Sequence, residues 1–200
     1  MRVAVADYGA GNLRSLCAAL TRAGAEPFVT TAAAEVREAP LAVVAGVGHV
    51  AGAAAGLSRT GVDEAIRGRA DSGRPLLGIC VGMQILFETS DEGGQGLGLL
   101  AGPVKRLEAA RVPHMGWNTL ATRPESRLLD NLDGADVYFA HSYAARPADP
   151  QVVTAEVEHD GPVVAAVESG AVAGVQFHPE RSGPAGARYL ANVLRWSRSA

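Results

Sequence analysis

The stretch Pro75-Leu76-Leu77-Gly78-Ile79-Cys80-Val81-Gly82-Met83-Gln84 limits what this chain can fold into more than any other. Pro75-Leu76-Leu77 is a short apolar run of strand character, and Ile85-Leu86-Phe87 is apolar and helix-compatible. Cys80 therefore stands where a strand turns into a helix. Glycines two residues before and two after it remove the Cβ atoms that would clash in so tight a turn. This is the G-x-nucleophile-x-G elbow, with sulfur in place of the serine oxygen. Such a turn presents its side chain at the C-terminal end of the strand and aims the first N–H groups of the helix at the sulfur. Those donors and the helix dipole favour thiolate over thiol. The same residues also suit a structural cysteine buried in a parallel sheet, so partners elsewhere in the chain must decide.

The surrounding pattern calls for an α/β fold. Strands are expected at 2–6, 26–30, 41–45 and 75–80. A helix carries Leu13, Leu16, Cys17 and Leu20 on one apolar face and stops at Gly24, which puts Cys17 in the core. Residues 51–70 are helical in pattern, with an interruption across 56–61. Short strands alternating with helices imply a parallel sheet covered on both faces. The second half is β-rich, with strands expected at 104–107, 137–140, 151–158, 162–168 and 171–176. Asp160-Gly161 and Ser169-Gly170 mark hairpins there, so part of the sheet is antiparallel. The last helix, 182–196, has Ser182 as N-cap and Ala187, Leu190, Ala191 and Leu194 along one face. There is no repeat and no linker, hence one domain over 1–200.

Composition excludes several classes. The 200 residues are 48% hydrophobic and 20% charged, with a formal net charge of -3 and no basic block, which argues against nucleic acid as a partner. No apolar run nears the ~20 residues of a membrane span. The N-terminus turns polar too soon for a signal peptide. Two cysteines, Cys17 and Cys80, without an export signal point to free thiols in the cytoplasm. No Cys/His cluster has metal spacing, so no metal or cofactor is expected. The glycine loop Tyr8-Gly9-Ala10-Gly11-Asn12 lies where phosphate can bind but lacks the G-x-G-x-x-G spacing.

A thiol nucleophile needs a base, and the base an orienter. His178 stands in Gly174-Val175-Gln176-Phe177-His178-Pro179-Glu180, directly after an apolar strand. Proline holds an extended local backbone, in which residues i and i+2 point the same way, so Glu180 can reach the ring. A carboxylate there sets the tautomer and stabilises imidazolium. Cys80, His178 and Glu180 form a candidate triad. Of the other histidines, His159 is expected on a solvated hairpin. His49 could line the site from its glycine loop, and His114 and His141 lie in segments dense in polar and aromatic residues.

Gly78 to Gln84 with His178-Pro179-Glu180 resembles the class I, triad glutamine amidotransferases. Asp7 to Asn12, Val112 to Asn118, Tyr138 to Tyr143 and Gln176 to Ser182 narrow the resemblance to the glutaminase subunits of imidazole glycerol phosphate synthase. Pro113-His114-Met115-Gly116-Trp117-Asn118 is its most specific piece. The resemblance implies a three-layer sandwich around a mixed, mainly parallel sheet. It implies that the Cys80 thiolate attacks the glutamine amide, that His178 protonates the leaving ammonia and then activates water, and that Glu180 orients His178. The oxyanion would be held by the backbone at Val81 and at Gly46-Val47-Gly48. Gln84, Glu92, Ser142 and Tyr143 would hold glutamine. Asn12, Met115, Trp117, Asn118 and Arg181 would face a barrel-shaped cyclase partner that receives the ammonia in a heterodimer. Two departures stand out. Ala45 replaces the family's usual proline before Gly-Val-Gly, which leaves the oxyanion strand less restricted and is expected to raise basal glutaminase activity. Val50 replaces a common aromatic, with packing effects only. Rival readings are another triad glutaminase or a γ-glutamyl hydrolase, a non-catalytic module on the same fold, and a nucleotide binder using the Gly9–Gly11 loop.

Overall fold

A computed structural model describes residues 1–199. Its first half alternates β1 (Arg2–Ala6), α1 (Leu13–Arg22), β2 (Glu26–Thr30), α2 (Ala33–Glu38), β3 (Leu41–Gly46), α3 (Val50–Arg59), α4 (Val62–Asp71), β4 (Leu76–Cys80) and α5 (Val81–Gln84). The second half holds β5 (Thr89–Ser90), β6 (Pro103–Arg106), β7 (His114–Thr119), β8 (Ala121–Thr122), β9 (Asp136–His141), β10 (Tyr143–Ala145), β11 (Val153–Glu158), β12 (Pro162–Ser169) and β13 (Val172–Val175), and closes on α6 (Gly183–Trp196). The central sheet runs β2-β1-β3-β4-β13-β12-β11-β8. Its first five strands are mutually parallel and the rest antiparallel. β3 and β4 are buried along their whole lengths, which their unbroken apolar runs require of central parallel strands. Two small sheets, β10-β6-β5 and β7-β9, flank the strand exits. Among the described residues no helix is long and apolar enough to cross a membrane.

The departures from expectation have physical causes. The helix after the elbow is a single turn, not a continuation through Phe87. The segment after Gly96 folds back and takes the carbonyls an α-helix would need: Leu97, Leu99 and Gly98 donate to Ile85, Leu86 and Phe87 at 2.6, 2.8 and 3.0 Å. The break between α3 and α4 falls at Gly61, whose φ of 68° is left-handed, and the helix runs straight through Gly56. In α6 the buried face is Gly186, Tyr189, Leu190, Val193 and Leu194, with Ala187 outside. Cys17 packs on the rim of the core, half-buried.

Candidate active site

Three neighbouring parallel strands end together, and each delivers one part of the site. Gly46 at the end of β3 pairs with Cys80 at the end of β4, and Ile79 pairs with Val175 at the end of β13. Gln176, Phe177 and His178 therefore emerge beside the elbow. Strand exits of an open parallel sheet are where such folds bind ligands.

Cys80 has φ 55° and ψ -114°, left-handed backbone at a residue with a side chain. Strain of that kind persists only when the surroundings over-determine it, and the glycines do so here. A Cβ on Gly82 would overlap the Val44 carbonyl, and one on Gly78 would overlap the Gly82 carbonyl. The elbow is thus pressed against β3 with no room for side chains.

His178 lies near enough to Cys80 to feel its charge, and its Nδ1–H donates to Glu180 Oε1 at 2.9 Å. Both His178 and Glu180 are nearly enclosed. Burial opposes the charged ring, but the pull of Cys80 and Glu180 prevails and raises His178 to about 10. The ring is therefore imidazolium at neutral pH. Pro179–Arg181 is a 3-10 turn, not the extended run expected from the proline, and Glu180 reaches the ring from within that turn. Ser182, at the N-cap position of α6, makes no cap bond. Its hydroxyl donates to the His178 carbonyl at 2.7 Å and accepts from the Tyr138 N–H at 3.0 Å. With the His178 N–H on the Tyr138 carbonyl, this stitches the turn to β9.

A cavity of about 190 Å³ opens beside the sulfur, lined by Val47, Gly48, Cys80, Val81, Gln84, Glu92, Ser142 and Tyr143 among others. A second, of about 130 Å³, lies behind the triad against Gly46, Ala45, His178, Glu180, Arg181 and Asn12. The arrangement supplies a strained thiol, a cationic proton donor and an orienting carboxylate at the mouth of a small polar pocket. Those are the parts needed for nucleophilic attack on an amide with proton delivery to the leaving nitrogen.

The glutamine amidotransferase class-I family profile matches residues 4–196. This chain is a class-I glutamine amidotransferase. It is 47% identical to the imidazole glycerol phosphate synthase subunit HisH of Mycolicibacterium paratuberculosis, over 96% of each chain. It is 46% identical to that of Moorella thermoacetica, over 95% of this chain and 92% of the relative. Among solved structures it superposes on a glutamine amidotransferase with TM-score 0.80 at 23% identity, over 98% of each chain. It superposes on PurLQS from Thermotoga maritima with TM-score 0.77 at 24% identity, over 98% of each chain. These two carry the fold, which is the three-layer arrangement around a mixed, mainly parallel sheet expected from the sequence.

In this amidotransferase the other expected residues divide. Met115 and Trp117 alternate outward on β7, 65% and 59% exposed, and Trp117 meets the Tyr138 ring edge-on at 6.1 Å. Arg181 lies over the same Tyr138 ring at 4.1 Å, a cation–π contact. Asn118 is turned to the opposite face of β7, where its amide bonds His114 and the Glu158 carbonyl. Asn12 caps α1 through Ser15 N–H at 3.4 Å. His49 does not line the pocket. Its Nδ1 accepts from Gly52 N–H at 2.9 Å and caps α3. His159 is not merely solvated, since its ring stacks on His114 at 4.2 Å. Two site residues escaped the sequence reading. Gln176 is fully buried and its amide donates to Cys80 Sγ at 3.6 Å; its place two residues before His178 was the available signal. Tyr8 packs its ring against Gly46, with a buried hydroxyl that has no hydrogen-bond partner. Burial first, and then the nearby Cys80 and Asp7 charges, push its phenol up.

Proposed function

We propose that this chain is a glutaminase subunit that hydrolyses L-glutamine to glutamate and ammonia through a thioester on Cys80. The ammonia passes to a separate cyclase subunit that makes imidazole glycerol phosphate and aminoimidazole carboxamide ribotide in histidine biosynthesis. The observation that carries the chemistry is His178 held on Glu180 and within electrostatic reach of Cys80, whose sulfur opens onto a pocket. The relatives named as imidazole glycerol phosphate synthase subunit HisH support the choice of synthase.

The Cys80 thiolate attacks the side-chain carbonyl carbon of glutamine. Backbone N–H groups at Val81 and in Gly46-Val47-Gly48 stabilise the oxyanion. Imidazolium His178 gives its proton to the departing nitrogen, the C–N bond breaks, and ammonia leaves. Neutral His178 then takes a proton from water, whose oxygen attacks the thioester. The C–S bond breaks, which releases glutamate and restores the thiolate. Glu180 holds the ring and its charge throughout. Glu92 suits the α-ammonium by charge, and Ser142 and Tyr143 line the opposite wall. Both amide hydrogens of Gln84 are spent, on Tyr143 carbonyl at 2.8 Å and Gln176 Oε1 at 3.0 Å, so its own oxygen is the atom left to a ligand. Met115, Trp117 and Arg181 form the exposed apolar and cationic face that suits a barrel-shaped cyclase in a cytoplasmic heterodimer, with Asn12 at the edge of the rear cavity. Glutamine hydrolysis by wild type and Cys80→Ala, measured with the cyclase and its ligand present, tests the reading. Equal rates overturn it.

A further inference from the structure

A run of hydrogen bonds crosses the molecule from β7 to the nucleophile. Asn118 Nδ2 meets His114 Nε2 at 3.1 Å. His114 Nδ1 meets His141 Nε2 at 3.0 Å, and His141 Nδ1 meets the Tyr143 carbonyl at 2.8 Å. Gln84 shares that carbonyl and bonds Gln176, which touches Cys80 Sγ. Only one placement of protons satisfies the run. A carbonyl only accepts, so His141 carries its proton on Nδ1 and accepts at Nε2. His114 must then donate from Nδ1 and accept from the Asn118 amide at Nε2. From Asn118 to the Tyr143 carbonyl every donor points the same way; that carbonyl accepts from Gln84 as well, and from Gln84 the donors run on to Gln176 and Cys80.

The rings cannot turn to escape this order. His114 and His141 are 4% and 6% exposed and sit directly opposite in the β7–β9 register. His114 is held between Phe139 at 4.6 Å and His159 at 4.2 Å, and His159 is anchored through Nε2 on the Arg111 carbonyl at 2.8 Å. The titratable groups that act on the rings are His159 on both, and His114 and His178 on His141. Burial first, and then His159, lower His114 to about 4; burial, against the opposing Tyr143 carbonyl bond and helped by His114, His159 and His178, lowers His141 to about 3, so both are neutral at pH 7. Buried polar networks are costly unless every member is satisfied, and here each ring nitrogen has a partner.

We propose that His114 and His141 are positioning residues for the glutaminase reaction: their oriented relay from Asn118 ends on the Tyr143 carbonyl and fixes it as the anchor for Gln84, which holds Gln176 against Cys80. The relay rests on the glutaminase reading. Met115 and Trp117 lie exposed on the other face of β7, the strand that carries His114 and Asn118.

Asn118→Asp tests it with little change in shape. The carboxylate accepts where the amide donated, so His114 must place its proton on Nε2. His141 must then donate from Nε2, and the Tyr143 carbonyl keeps only Gln84 of its two donors. Ring 15N chemical shifts read both tautomers, and glutamine kinetics with saturating cyclase read the consequence. The expected result is a joint tautomer switch, with kcat down about tenfold or more, the factor that about 1.4 kcal/mol of lost alignment gives. KM for glutamine should change less. Should the fold suffer, His141→Gln keeps a donor for the Tyr143 carbonyl while His141→Leu removes it. The Gln variant should recover most of the kcat the Leu variant loses. Switched tautomers with unchanged kcat overturn the proposal. So does lost activity with His141 unswitched, or equal kcat in the Gln and Leu variants. If wild type hydrolyses glutamine no faster than Cys80→Ala, the glutaminase reading fails instead, and the 15N arm still judges whether the relay exists.

Discussion

Cys80 and His178 divide the work of activation between backbone and side chain. The left-handed backbone at Cys80 is a local cost that only the two glycines make tolerable, while the charge on His178 depends on Cys80 and Glu180. Among the described residues Glu180 Oε2 is buried with no hydrogen-bond partner, and Oε1 accepts from His178. Glu180→Gln should therefore lower His178 from about 10. The alkaline limb of the kcat profile, set by loss of the imidazolium proton, should move to lower pH. The maximum rate should fall by roughly a hundredfold, within the range general acid–base catalysis contributes. A pH–rate series with both proteins checks this, and an unmoved limb would contradict it.

At the scale of elements, the sheet is braced where β3, α2 and the entry to β4 meet. Arg69 on α4 is fully buried, and its guanidinium donates to the carbonyls of Val36, Arg37, Ala39, Pro40 and Pro75. Burial, and then Arg74, lower it to about 10, so it stays charged. Arg69→Met would leave those carbonyls without a donor and should cost at least about 3 kcal/mol in urea unfolding, since bonds from charged donors are worth about 1.5–3 kcal/mol each. β3 leads into the proposed oxyanion segment Gly46-Val47-Gly48, and Ala45 is the residue before it, buried and paired with Ile79. Ala45→Pro removes an N–H and narrows φ. It should lower glutamine hydrolysis measured without the cyclase severalfold, and an unchanged basal rate would dismiss the role given to Ala45.

Across the whole molecule, the buried histidines make stability depend on pH in two opposed ways. His114 and His141 have folded values of about 4 and about 3, below their ordinary one. The unfolded chain takes up protons first, so their contribution is full above about pH 6.5 and falls as pH drops toward 4. Each ring contributes up to about 1.4 kcal/mol per pH unit. His178 is raised to about 10, so its contribution is full below about pH 6.5 and lost as pH rises through 10. Thermal midpoints should therefore peak near neutrality and fall between pH 6.5 and 5, before most carboxylates titrate. A flat curve there would contradict the neutral relay. The elbow, the His-Pro-Glu run and the strand–helix alternation were legible in the sequence, because each rests on steric and periodic rules that act over a few residues. The length of α5, the inward turn of Asn118, the opposition of His114 and His141, and the reach of Gln176 to a sulfur 96 residues away were not. Those follow from strand order and pairing register between distant segments, which local pattern does not encode and only the packed sheet decides.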